Sequence, residues 1–282
     1  MLTAIIFLVE TFLVALGAGV FGALLGLGGG AILVPILSLA LGIDIHYAIG
    51  ASIVSVIATS CGAAAAYLRD GVTNIRIAMF LETATTTGAI VGAFIGGLVS
   101  GPGLFVVFGI VLFYSAYSMF RRRAAELPTG VEMGPLANFL HLGSSYYDAA
   151  LNRQVDYNVR GARYGLPLMF IAGAMSGLLG IGSGVLKVPA MDMAMKLPMK
   201  VSTATSNLMI GVTAAASAGV YFIRGDVNPL IAAPVALGVL LGARIGARVM
   251  LRVRSTQIRW MFILVLAYIS LQMLIKGFGI HF

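Results

Sequence analysis

The sequence predicts an all-α polytopic membrane protein of two inverted-topology repeats, each with a glycine-broken helix pair plus about three spanning helices. Three observations predict it. Of 282 residues, 60% are hydrophobic and 10% charged, with a mean hydropathy of +1.01; a soluble domain carries about 25% charge. Apolar runs close to the length of a bilayer span, about 20 residues, recur along the chain. Two glycine-rich interruptions, Gly26–Gly30 and Gly180–Gly184, each followed by a proline (Pro35 and Pro189), stand at a constant offset of 154.

Taken in order, the chain gives ten apolar segments. The first runs from about residue 3 to 25. After the first break comes a short one, about 31–41, too short to cross a hydrocarbon core of about 30 Å at 1.5 Å per residue. Segments near 47–68, 75–99 and 104–120 follow. A polar stretch, 121–163, divides the halves, and the second half repeats the scheme at about 164–179, 185–195, 201–223, 230–250 and 258–275. The expected organisation is a first repeat over 1–120, a cytoplasmic connector over 121–163 and a second repeat over 164–282. Within the connector, Ser144–Val159 reads either as a β-hairpin turning near Asn152 or as a disordered linker.

The offset of 154 holds without a gap. Gly26, Gly28, Gly30, Val34 and Pro35 match Gly180, Gly182, Gly184, Val188 and Pro189; Ser52 matches Ser206; Tyr67, Gly71 and Asn74 match Tyr221, Gly225 and Asn228; Gly88 and Gly92 match Gly242 and Gly246. Such a register points to internal duplication. Basic residues then set orientation, because they favour the cytoplasmic side. Gly97–Gly103 has none, whereas its counterpart carries Arg248, Arg252, Arg254 and Arg259; Arg121–Arg123 end the first half, whereas the second ends with Lys276 alone. Opposite bias at equivalent places implies inverted repeats, a cytoplasmic connector and outward termini.

The net charge of +8 fits basic loops against anionic lipid and calls for no nucleic-acid partner. One cysteine, Cys61, excludes an intramolecular disulfide, and His46, His141 and His281 have no metal-ligand spacing. No nucleotide loop of the GxxxxGK[ST] type is present, so neither cofactor nor metal is expected. No cleavable signal peptide is evident: the start lacks a basic region and its first apolar run is long enough to span.

The breaks carry the chemistry. Glycine and proline interrupt a helix, and in hydrocarbon the freed backbone groups need protein, ligand or a watery cavity. Paired interruptions at corresponding places in two halves point to a transporter's binding site. A helix start presents unpaired amides and about half a positive charge, which suits a small anion. Gly28, Gly29, Gly30, Gly182, Ser183 and Gly184 are therefore candidate substrate contacts, whereas Gly22 and Gly26, four apart, favour close helix packing. The polar run Thr203, Thr205, Ser206, Asn207, with Ser52 in the other half, could donate to anion oxygens without burying a charge or could bond between helices. For Ser55, Thr59, Ser60 and Thr213 the packing role is favoured. Lys187, three residues past Gly184, either adds charge to the site or snorkels to the interface. Glu82, about seven residues into its segment, is the candidate proton-coupling group. Asp192 and Glu10 lie nearer segment ends, where an interfacial role is expected.

GLGGGAILVP and GIGSGVLKVP, the TATSN that follows the second, and the connector SSYYDAALNRQVDY resemble the TauE/SafE family of sulfite exporters and related permeases over nearly the whole chain. The resemblance implies a multi-pass secondary transporter of a prokaryotic plasma or inner membrane, moving a small anion such as sulfite or an organosulfonate, in the direction of export. Ser183 departs from the family, which often has glycine there; serine keeps the amide and adds a donor. An anion channel of the same specificity is one alternative and a membrane-embedded enzyme another. The second has no Ser-His-Asp, di-acid or metal spacing behind it. Oligomeric state is left open.

Overall fold

A computed structural model of the chain describes residues 2–121 and 131–279. Arg122, Arg123 and His281, used above, lie outside the described residues. The ten apolar segments form helices α1 (Leu2–Leu25), α2 (Gly30–Pro35, continued by a π-helical turn Ile36–Ala40), α3 (Ile45–Arg69), α4 (Ile75–Gly96) and α5 (Gly101–Arg121) in the first half. A short α6 (Pro135–Phe139) and strands β1 (Ser144–Asp148) and β2 (Arg153–Tyr157) lie in the connector. The second half is α7 (Ala162–Leu179), α8 (Gly184–Met193), α9 (Met199–Ile223), α10 (Pro229–Arg252) and α11 (Ser255–Gly277). Eight of these are long and apolar enough to cross a membrane; the chain is an all-α polytopic membrane protein with a small β-hairpin.

The residues shared between halves have matching structural uses. Asn74 and Asn228 cap α4 and α10, their side chains accepting from the amides of Ile77 and Leu230, each at 3.0 Å. Gly71 and Gly225 turn the chain just before those caps with φ of 68° and 78°, a region glycine enters without strain. The Tyr67 hydroxyl donates to Ala23 O at 3.0 Å and the Tyr221 hydroxyl to Gly177 O. Both tyrosines tie a long helix to the carbonyls freed just before a break.

Two helix seams depend on small residues. A β-carbon placed on Gly242 or Gly246 of α10 would stand 2.1 Å from Leu16 O or Val20 O of α1. One placed on Gly88 or Gly92 of α4 would stand 2.2 Å from Phe170 O or 1.9 Å from Ala174 O of α7. The partners, like the glycines, are offset by 154. Each half thus lends one helix to a seam with the other, with backbones closer than any side chain would permit.

The connector is a docked hairpin. Tyr146 pairs with Val155, and Tyr146, Val155 and Tyr157 are buried. Asn74 donates its side-chain amide to Leu142 O and to the Tyr157 hydroxyl, both at 2.9 Å, which fastens the start of α4. Lys200, at the start of α9, makes a buried ion pair with Asp148 at 2.8 Å. Burial raises the pKa of the Tyr146 and Tyr157 phenols, so both stay protonated at neutral pH. The α7–α8 pair begins and ends at this hairpin, since the amide of Arg160 donates to Met195 O at 3.2 Å. The far end of α9 meets the start of α3, where a β-carbon on Gly50 would stand 2.1 Å from Asp226 O. So α9 starts at the face where α3 ends, and ends at the face where α3 starts.

Asp192 is not interfacial. It is buried on α8 and pairs with the buried Arg259 of α11 at 3.0 Å. An interfacial carboxylate could stay hydrated; a buried one in this setting needs a cation.

Candidate functional site

The two breaks face each other at the centre of the molecule. A β-carbon on Gly184 would stand 2.0 Å from Gly26 O; one on its counterpart Gly30 would stand 2.5 Å from Ser52 Oγ and 3.0 Å from Gly180 O. Gly22 packs onto the first break itself, its β-carbon position 2.1 Å from the Gly29 nitrogen, the packing role its spacing suggests. Gly28, Gly29 and Gly182 hold φ of 75° to 76° and Ser183 holds 57°. Left-handed backbone is nearly free for glycine and costs other residues about 1 kcal/mol.

The polar cluster seals the breaks. Ser52 donates to Gly180 O at 2.7 Å and Ser206 donates to Gly26 O at 2.9 Å. These are the same bond in the two halves, each reaching across to the other repeat. Asn207 donates to Ala23 O at 2.9 Å and Thr203 O at 3.1 Å. Ser55 donates to Ser52 O and Ser60 to Asn207 O, the packing role expected of both. Thr205 lies apart from the breaks, its hydroxyl accepting from the amide of Asn74 at 3.1 Å. In this conformation the Ser52, Ser206 and Asn207 protons are therefore held by backbone carbonyls. Among the described residues, the amides of Gly29, Gly182 and Ser183 donate no hydrogen bond. The buried Thr203 hydroxyl and Asn207 side-chain oxygen have no partner. Above the glycines sit Val56 and Ile210, an offset pair that packs together with Ala214; their methyls cover Gly182 and Gly28.

One residue assigned to packing does more. Thr59 donates to Gly28 O at 3.0 Å. Its counterpart Thr213, seven residues beyond Ser206, faces ionisable groups instead. Lys187 donates to the Thr213 hydroxyl at 2.7 Å, and that hydroxyl stands 2.6 Å from Glu82 Oε1, to which it can donate. Lys187 is also 3.4 Å from Glu82 Oε2, and Thr86 donates to Glu82 at 3.0 Å. Lys187 is 0% exposed, so it does not snorkel. At the offset of 154, Lys187 corresponds to Leu33 of the first half and Glu82 to Ala236 of the second. At the second break the carbonyl of Gly182 accepts from the Ser183 hydroxyl at 2.7 Å. Serine there takes over the task Thr59 performs in the first half and leaves Thr213 for Lys187 and Glu82.

The two breaks lock face to face among eight helices long and apolar enough to cross a membrane, and the described residues hold no cluster of His, Cys, Asp or Glu that could bind a metal. The family known as sulfite exporter TauE/SafE matches residues 11–273. The chain belongs to the TauE/SafE family. Among its relatives, "Probable membrane transporter protein YunE" of Bacillus subtilis (strain 168) is 28% identical over 94% of this chain and 97% of its own length. A "Probable membrane transporter protein" of Xylella fastidiosa (strain 9a5c) is 30% identical over 72% of this chain and 71% of its own. No solved structure matches. This TauE/SafE chain is a membrane transporter, not an enzyme, and a multi-pass protein of a prokaryotic plasma membrane.

Proposed function

We propose that the protein is a secondary transporter for a small anion, sulfite or an organosulfonate, that it works by alternating access between two inverted repeats, and that it runs as an exporter. The observation that carries the proposal is the buried Lys187 on the helix that leaves the second break. An ammonium has three N–H groups, and two are engaged, with Thr213 and Glu82. The third, with the unused amides of Gly29, Gly182 and Ser183, offers an anion the positive surroundings that a buried site requires. Gly28, Gly30 and Gly184 let backbone approach closely, while Ser52, Ser206 and Asn207 hold the broken backbone in shape around it and the unpartnered Thr203 hydroxyl is left to face a ligand; Thr205, on Asn74, lies outside this set. The opposite running of α3 and α9 past the hairpin supports inversion of the repeats, with the connector cytoplasmic.

An arriving anion competes with Glu82 for Lys187. The displaced carboxylate is the group that would carry a coupling proton. Val56 and Ile210, covering the glycines, define the closed state that must part to admit substrate.

The test is transport in proteoliposomes with a panel of sulfite, sulfoacetate, thiosulfate and sulfate while internal pH is followed. Saturable flux of one or two of these, with a proton moving alongside, is the expected result. Glu82→Gln should leave flux that no longer moves protons. Flux that neither saturates nor couples would make the protein an anion channel.

A further inference from the structure

A second anion site lies away from the breaks, at the connector face. A cavity of about 500 Å³ opens between the hairpin and the ends of α3 and α10. Its wall contains four cationic side chains. Lys200 is matched by Asp148 at 2.8 Å, and Arg69 by Asp70 at 3.5 Å. Arg248 and Arg252, one turn apart on α10, have neither a hydrogen bond nor an ion pair among the described residues. The cavity therefore carries two uncompensated guanidinium groups on one helical face. Leu237, Leu241, Ile245 and Val249 form an exposed apolar stripe along the same helix, running away from the arginines. Its exposure suits a surface facing acyl chains.

We propose that this cavity binds a phosphate group, that of an anionic phospholipid headgroup or of a soluble phosphate compound, through Arg248 and Arg252. Guanidinium forks match phosphate oxygens in pairs, and basic pockets at the cytoplasmic ends of helices take up anionic headgroups. The site is independent of the transport reading, since no residue is shared. A phosphate here bridges α10 to the hairpin, which is fastened in turn to α4 and α9, so occupancy stiffens the connector against both repeats.

The experiment uses the full chain in nanodiscs and reads thermal unfolding. One arm compares discs of phosphatidylcholine alone with discs that also contain phosphatidylglycerol. The other adds inorganic phosphate to phosphatidylcholine discs, with chloride at equal ionic strength as reference. Wild type should be stabilised in at least one arm: the lipid arm identifies a headgroup site, the phosphate arm a soluble ligand. Arg248→Gln/Arg252→Gln should weaken the apparent affinity at least about tenfold, as loss of charge-assisted bonds predicts. Arg248→Lys/Arg252→Lys, which keeps charge but loses the fork, should fall between. Arg160→Gln/Arg163→Gln, an equal change of charge elsewhere on the same face, should leave the response intact. No stabilisation of wild type in either arm overturns the proposal, and so does equal loss of the response in Arg160→Gln/Arg163→Gln.

Discussion

The two breaks are near copies in backbone and differ in what their threonines hold. At the first, Thr59 bonds the loop carbonyl of Gly28, and the positions that match Lys187 and Glu82 are Leu33 and Ala236. At the second, Ser183 bonds the loop carbonyl of Gly182, and Thr213 bridges Lys187 to Glu82. The shared part is the device that keeps a broken helix tolerable in hydrocarbon. The unshared part, Lys187, Glu82 and Thr213, carries the ionisable chemistry. The frame recurs in both halves, and the charge stands in it once.

That comparison can be broken most sharply at Lys187. Lys187→Met leaves Glu82 partly buried without its cation, which should destabilise the protein by about 3 kcal/mol or more and abolish anion transport. Adding Glu82→Gln should restore most of the stability and none of the transport. Leu33→Met, the same position in the first half, should cost less than about 1.5 kcal/mol. Thermal unfolding in detergent and flux in proteoliposomes separate these outcomes, and a large effect at Leu33 would erase the distinction between halves.

The next largest difference lies in the glycines. Gly184→Ala meets a backbone carbonyl and should destabilise by about 3 kcal/mol, the upper range for overpacking. Gly30→Ala meets first the movable Ser52 hydroxyl and should cost roughly half as much. Size-exclusion recovery after heating ranks the two, and equal recovery contradicts the contact geometry.

Ser52→Ala and Ser206→Ala should each cost about 1–3 kcal/mol, because each orphans one buried carbonyl. Their equality is the claim; unequal losses would mean that the two cross-repeat bonds are not one device. The smallest effects are at the left-handed positions. Gly29→Ala should cost about 1 kcal/mol of backbone strain, and Ser183→Ala a similar amount for its lost hydrogen bond. Ser183→Gly should be close to neutral in stability, since relief of strain offsets the lost bond.

Much of this was legible in the sequence because it is periodic or local. The apolar runs gave the helices, and the offset of 154 returned in the caps Asn74 and Asn228, in the seams at Gly88 and Gly242, and in the serine bonds. The hairpin turning near Asn152 was one of two readings the connector allowed, beside a disordered linker, and it is the one the structure shows. What stayed hidden joins elements far apart in the chain. Lys200 with Asp148 and Asp192 with Arg259 pair residues that no helical spacing relates. Sequence names Ser52 and Ser206 as donors but does not say whether a ligand or a carbonyl receives the proton, because that depends on how closely the repeats meet. The interhelical bonding expected of Thr213 is present, but its partners could not be named in advance, because Lys187 and Glu82 arrive on two other helices.

Val56 and Ile210 occupy the same position in the two halves and pack on each other over the breaks. Were the molecule assembled from two identical chains, that position would face its own copy. Every substitution there would count twice, doubling any gap or clash over the breaks. A single chain that carries both positions is free of that constraint. One side can then gain a methylene while the other stays small, and the valine–isoleucine pair is the kind of unequal fit that only a single chain can explore.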